Sequence, residues 1–265
     1  MYKLPELALN ATDAAALANK QRQVNRKRSF PERVAAAKSA FAGKPASLFG
    51  RIREKLKLMS GDLVRCAYCE DSCADEVEHV RPKDFYPERV FDWSNYLFSC
   101  GPCNTGKNNN YAVIEASGRI VDLVAHRAQL GVIPPPADTE AFIDPRIEEP
   151  LDYLWLDLGR SFRFAVLDES DALKAARAEA TIRWLKLNRD MLVEARINAF
   201  SGYRDRLAQY VARKAAGDSG DQLQNRIREL KRSPHRTVWL EIKRQRSLLP
   251  ELDGFFRQAP EALSW

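Results

Sequence analysis

Cys66-Ala-Tyr-Cys69, Glu76-Val-Glu-His-Val-Arg-Pro-Lys83 and Asn95-Tyr-Leu-Phe-Ser-Cys-Gly-Pro-Cys-Asn-Thr-Gly-Lys107 are three pieces of one stretch, and its reading decides the fold. Cys66/Cys69 and Cys100/Cys103 are two C-x-x-C knuckles. Two thiolates at that spacing wrap one ion, and four close a tetrahedral Zn²⁺ site with Zn–S near ~2.3 Å. The separation of the knuckles exceeds the roughly 15–20 residues of common zinc ribbons, so further structure is expected between them. Two redox dithiols or four buried free thiols are the alternatives. A thioredoxin-like dithiol needs a strand–helix setting that this segment lacks. Cys73 is the odd fifth cysteine, too near Cys69 to add a ligand. An odd count in paired knuckles argues for metal chemistry in a reducing compartment rather than a disulfide set.

Val77 and Val80 flank Glu78-His79 in a strand-like piece, and 95–100 reads as a second strand. Neighbours on a strand point to opposite faces. Glu78 and His79 therefore suit a carboxylate on a metal and an imidazole reaching a water, rather than two ligands of one ion. Asn104-Thr-Gly-Lys107 reads as a helix opening. The chain has three histidines, His79, His126 and His235. The last two have no partners nearby in sequence and read as structural. For His79, a purely structural role or zinc ligation in place of one cysteine is the plain alternative.

In this order the residues resemble the HNH endonuclease family, whose fold is the ββα-metal finger: Cys66-x-x-Cys69, Glu78-His79, Asn95, Cys100-x-x-Cys103-Asn104, Lys107. The third family position is Asn104 rather than His, an H-N-N variant. The resemblance implies His79 as general base, with Glu78 and Asn104 holding one Mg²⁺ or Mn²⁺. It implies that Asn95 hydrogen-bonds the loop backbone to orient His79. It also implies catalytic roles for His79, Asn95, Glu78 and Asn104, beside a structural Zn²⁺ on the four cysteines. An imidazole with ordinary pKa near ~6.5 suits a base at neutral pH, and oxygen ligands suit hard cations. Arg81, Lys83 and Lys107 are expected to contact phosphate. Phe91-Asp-Trp-Ser-Asn-Tyr-Leu97, Ile143-Asp-Pro-Arg146 and Ala180-Thr-Ile-Arg-Trp-Leu-Lys-Leu-Asn188 extend the likeness to the HNH branch that includes PtuB-like effectors of Septu and retron anti-phage systems. That branch implies an ATPase partner subunit. No complete G-x-x-x-x-G-K-[ST] loop is present for this chain to bind ATP in that way, since Gly101-Pro-Cys-Asn-Thr-Gly-Lys107 is followed by Asn108.

Outward from the finger, 10–59 reads as helical. Ser29 and Pro31 mark one helix start, and Leu48, Ile52, Leu56 and Met59 recur at helical spacing. From Lys20 to Lys57 there are twelve Lys/Arg against Glu32 and Glu54, in a chain whose total net charge is only +6. Such a patch, with Arg26, Lys27 and Arg28 as its densest run, suits a polyanion. A solvated helix face is the alternative. Residues 112–167 read as irregular, with a hairpin around Gly159-Arg160. Residues 168–265 return to helix, with Leu173, Ala176, Ala180, Trp184 and Leu187 on one face.

The expected fold is α+β and mostly α-helical: a zinc-stapled ββα finger flanked by helical regions. The expected division is a basic helical region 1–60, the finger 61–115, a connector 116–167 and a partner-binding helical region 168–265. An apolar share of 45% builds a core, no run of ~18 apolar residues spans a membrane, and residues 1–10 lack a signal pattern. A cytoplasmic protein is expected. The expected function is a metal-dependent endonuclease cutting DNA in anti-phage defence, possessing a partner and a higher-order assembly. The competing readings are RNA cleavage and a non-catalytic zinc finger that binds nucleic acid within a complex.

Overall fold

In the computed structural model, which describes residues 1–61 and 64–265, the basic N-terminal region is helical. Its helices are α1 (Ala11–Asn25), α2 (Phe30–Ala42) and α3 (Ala46–Met59). Asn10 caps α1 by accepting from the Asp13 N–H at 2.8 Å. Ser29 and Glu32 form a reciprocal capping box on α2, with Pro31 in the first turn. The apolar stripe of α3 is buried through Leu48, Phe49, Ile52, Leu56 and Met59. Each such side chain contributes roughly 1.5–3 kcal/mol on leaving water. Asp62 and Leu63, within the expected finger segment, lie outside the described residues.

The finger follows. β1 (Glu76–His79) pairs antiparallel with β2 (Tyr96–Ser99), so that Glu78 faces Leu97 and His79 faces Tyr96 across the ladder. Between them the chain makes a long loop with 3-10 turns at Pro87–Arg89 and Trp93–Asn95. Helix α4 (Gly101–Lys107) leaves directly from β2. It begins three residues before the Asn104 start read from sequence. Cys100 is its extended N-cap and Pro102 lies in its first turn, so the second knuckle does have the strand–helix setting that the sequence reading denied it, and that ground for setting a dithiol aside falls. α3 packs on β2, and α4 on β1.

Residues 112–167 are more regular than the sequence reading. β3 (Ala112–Ile114), β4 (Ile120–Asp122) and β5 (Thr139–Glu140) form an antiparallel sheet in the order β4-β3-β5, with α5 (Leu123–Leu130) after β4. Strands of two or three residues are too short to leave an alternating pattern, and β5 joins by a long-range pairing. The hairpin is β6 (Leu154–Leu156) with β7 (Phe164–Val166). The Asp157 carboxylate organises its turn by accepting from the N–H groups of Gly159, Arg160 and Ser161.

The C-terminal region comprises α6 (Ala172–Trp184), α7 (Asp190–Ala215), α8 (Gly220–Lys231), α9 (Arg236–Gln245) and α10 (Pro250–Gln258). Asp171 caps α6. Its buried face differs from expectation: Leu173 is exposed, and Arg177, Ala178, Ala180, Thr181 and Trp184 point inward. Arg177 takes the inward place because it bonds the Glu148 carboxylate at 2.6 Å and the carbonyls of Glu140 and Phe142. One hydrophobic cluster runs from Leu17 and Ile52 through Tyr96 and Phe142 to Leu207 and Trp239. The fold is mixed α+β and mostly helical. Among the described residues, no helix is long and apolar enough to cross a membrane.

Candidate functional site

The two knuckles meet. The Sγ atoms of Cys66, Cys69, Cys100 and Cys103 all lie within 4.8 Å of one another, and all four residues are buried. The Cys69 and Cys100 sulfurs are 3.9 Å apart. A tetrahedron with Zn–S near 2.3 Å has sulfurs about 3.8 Å apart, so the donor set fits Zn²⁺ and could hold one ion. Hydrogen bonds from Cys100, Cys103 and Cys66 converge on Cys69 and hold its thiol far below the usual range. The same mutual hydrogen bonding pushes the Cys66 and Cys103 thiols up, so without a metal the negative charge gathers on Cys69 and Cys100. Cys73 is exposed and stands outside it.

Two arginines from the C-terminal helices flank these sulfurs. Arg189, at the turn between α6 and α7, lies 3.8 Å from Cys103 Sγ. Arg196 is almost fully buried, and its guanidinium donates to the Phe162 and Leu187 carbonyls rather than to a carboxylate. Burial pulls it down to about 10. A buried cation is costly without an opposing charge, and Glu70 and the Cys69 sulfur supply negative charge to it. Glu70 continues from the first knuckle in the left-handed region, at φ 62°. Its buried carboxylate accepts from Thr237 N–H at 2.9 Å and pairs with the Met1 amine. It thereby anchors the knuckle to the start of α9.

Facing the helix, the two acids of β1 make two rungs. The Asn104 amide donates to Glu76, and the Lys107 ammonium sits 2.7 Å from Glu78 Oε1 and 2.8 Å from the His79 carbonyl. Residues i, i+2 on the strand share a face and match i, i+3 on the helix. Burial pushes the Glu78 carboxyl up, against the pull of Lys107. The expectation of Lys107 as a phosphate contact is corrected: its side chain is fully buried on Glu78. Asn104 is joined to Glu76, not to Glu78. Glu76, Glu78 and Asn104 together offer oxygen donors of the type a hard divalent cation takes. Such an ion at Glu78 has to share with, or displace, the Lys107 ammonium.

His79 lies on the other face of β1. Its ring is buried between Phe41, with centroids 4.5 Å apart, and Tyr96 at 5.2 Å. Nε2 lies 2.9 Å from Val90 O. Burial pulls the imidazole down to about 3. Asn95 is fully buried in the same loop. Its Oδ1 accepts from Arg81 N–H at 2.7 Å, and its Nδ2 donates to the carbonyls of Arg81 and Arg89, both at 3.0 Å. The Arg81 guanidinium is turned inward onto Glu140, which also accepts from Tyr111. Lys83 is half-buried, and Arg26, Lys27 and Arg28 are exposed just beyond α1.

Sequence reading missed Glu76, Glu140, Phe41, Arg189 and Arg196. Strand alternation could have found Glu76, two residues before Glu78. The others arrive by long-range packing and leave no local signal.

The fold and the sulfur cluster define a mixed α+β protein built on a ββα finger with a four-cysteine cluster that could hold a metal ion. No protein-family model matches the chain, and no solved structure matches it. Part of the chain is similar to Septu protein PtuB of Bacillus thuringiensis, with 41% identity over 69 residues, 24% of this chain and 27% of that protein. The match spans about a quarter of that curated relative's length.

Proposed function

We propose that this chain is a metal-dependent HNH-type endonuclease that hydrolyses phosphodiester bonds of DNA, and that it serves bacterial anti-phage defence beside an ATPase partner. The observation that carries the reading is the two-faced strand: His79 held through Nε2 on Val90 O, and Glu78 turned to Asn104's helix. A carbonyl only accepts, so Nε2 carries the hydrogen and Nδ1 keeps its lone pair. Burial keeps the ring neutral at neutral pH but, at about 3 rather than the ordinary value near ~6.5, also makes it a weaker base than the sequence reading expected, so the role requires that water reach Nδ1. Nδ1 then takes a proton from water while the water oxygen bonds phosphorus and the bond to the leaving sugar oxygen breaks. Asn95 holds the loop carrying Val90. Glu76, Glu78 and Asn104 would hold Mg²⁺ or Mn²⁺, whose charge would stabilise the leaving oxygen. Zinc on the four cysteines would fix the finger. The defence role and the ATPase partner rest on the similarity to Septu protein PtuB and on the HNH resemblance.

One observation favours a second reading, a finger that binds nucleic acid without cutting it: the ammonium of Lys107 already neutralises Glu78. Purified protein incubated with plasmid DNA and with RNA, in Mg²⁺ or Mn²⁺, separates the two. Cleavage lost in His79→Ala, with zinc content and fold retained, supports the nuclease. Undiminished cleavage in that variant removes His79 as the base, and no cleavage by the wild type with the partner added leaves the binding reading.

A further inference from the structure

The last turn of α2 lays Phe41 against the His79 ring at 67°. Two ammoniums sit over the other parts of that phenyl ring: Lys44 Nζ at 4.5 Å from its centroid and Lys83 Nζ at 5.8 Å. Lys44 comes from the turn between α2 and α3, and Lys83 from the loop after β1. Lys44 also lies 5.7 Å from the Phe49 ring. Arg53, exposed on α3, adds its charge to that of Lys44. Burial and the charges of Arg53 and Lys83 hold the Lys44 ammonium below its usual range.

Three other cations of this basic region have acids. Lys38 pairs with Asp84 at 3.3 Å, Arg51 with Asp13 at 2.6 Å and Lys57 with Glu54 at 2.7 Å. Among the described residues, Lys44, Arg53 and Lys83 have no carboxylate within ion-pair distance. Two ammoniums over one aromatic ring, next to a strand-borne histidine and with the charge of Arg53 acting on one of them, suit an outside polyanion.

We propose that Lys44, Arg53 and Lys83 form the seat of a nucleic-acid backbone over His79, with Phe41 as the ring that covers the imidazole until a strand displaces it. The inference deepens the nuclease reading and rests on it only for the task of His79. Cations bind successive phosphates with release of counterions, which makes the seat visible as salt dependence. A displaced phenyl ring is then free to stack on a base of the entering strand.

The test uses the full-length His79→Ala protein, so that binding is read without cleavage. A fluorescein-labelled single-stranded DNA and the matching RNA serve as probes, titrated by anisotropy between about 50 and 200 mM salt. Lys44→Ala and Lys83→Ala should each lower the slope of log affinity against log salt by about one, and the triple variant with Arg53→Ala by about three. Lys44→Arg should leave it unchanged. An unaltered slope in the triple variant overturns the seat. The DNA and RNA arms decide which backbone it prefers. Phe41 is tested in the His79-intact protein by carbethoxylation of His79, followed by mass spectrometry. Phe41→Ala, or Phe41→Leu if the first fails to fold, should speed labelling on the order of tenfold; an unchanged rate overturns the covering role. The two readings fail separately. Salt-dependent binding through these cations without any cleavage retains the seat and removes the nuclease. Cleavage with the slope untouched does the reverse.

Discussion

His79 Nε2 donates to the carbonyl of Val90 across 2.9 Å, and the Tyr96 hydroxyl donates to the same oxygen at 2.7 Å. A single loop carbonyl thus fixes the ring's orientation and its tautomer, and turns Nδ1 into the accepting nitrogen.

The burial that accompanies this bond sets a pH dependence. The folded imidazole titrates at about 3, and the unfolded one near ~6.5. Between those values the unfolded chain binds a proton that the folded chain refuses. Stability present above pH ~6.5 is therefore lost as pH falls towards ~3, at up to about 1.4 kcal/mol per unit. Urea unfolding at neutral pH and near pH 5 should show wild type losing roughly 2 kcal/mol more than His79→Gln. Equal losses mean that the folded ring takes up protons freely.

Lys107 and Glu78 are a buried pair, with side-chain exposures of 0% and 7%. Removing one partner strands the other charge, so Lys107→Met should destabilise by about 3–5 kcal/mol. Glu78→Gln in the same chain should return much of that loss, because the stranded charge is gone. A double-mutant cycle in denaturant reads the coupling. A loss under about 1 kcal/mol in Lys107→Met means that the Glu78 carboxyl finds another partner or a proton.

Asn95 satisfies three backbone groups at a position with no exposure. Asn95→Ala leaves those groups buried without partners and should cost about 2–4 kcal/mol. Asn95→Asp restores the acceptor for Arg81 N–H but faces two carbonyls with an oxygen, and should recover little. Both changes are read by chemical denaturation, with His79 labelling to report whether the loop still holds the ring.

Arg189 beside Cys103 predicts a metal phenotype far from the finger in sequence. Partners of metal ligands typically change affinity by 10–100-fold. Arg189→Ala should release zinc to a competing chelator on the order of tenfold faster than wild type, and Arg189→Lys should fall between the two. Cys100→Ser should lower zinc stoichiometry outright. Identical release from Arg189→Ala and wild type removes the guanidinium from the metal's surroundings.

Much of the site is legible from residue order because its logic is local. Helix starts at Ser29 and Asp171 follow from side chains that cap a few residues away. The opposite facing of Glu78 and His79 follows from the strand period alone. The knuckles meet because two short thiolate spacings can close on one centre. The three-stranded sheet around β3 was not legible, because its strands are too brief to carry a period.

By itself, then, the sequence determined the knuckles, the ββα order, the helical flanks and the two faces of the first strand. Backbone geometry sets each of these within a few residues. Tertiary structure alone decided the partners: Lys107 on Glu78 rather than outside, Asn104 on Glu76, Arg81 on Glu140, Arg189 at Cys103 and Phe41 over His79. A cation has the same residue name whether it meets water, a phosphate or a buried acid. Only the packing of distant segments, and the cost of leaving a charge buried alone, selects among them.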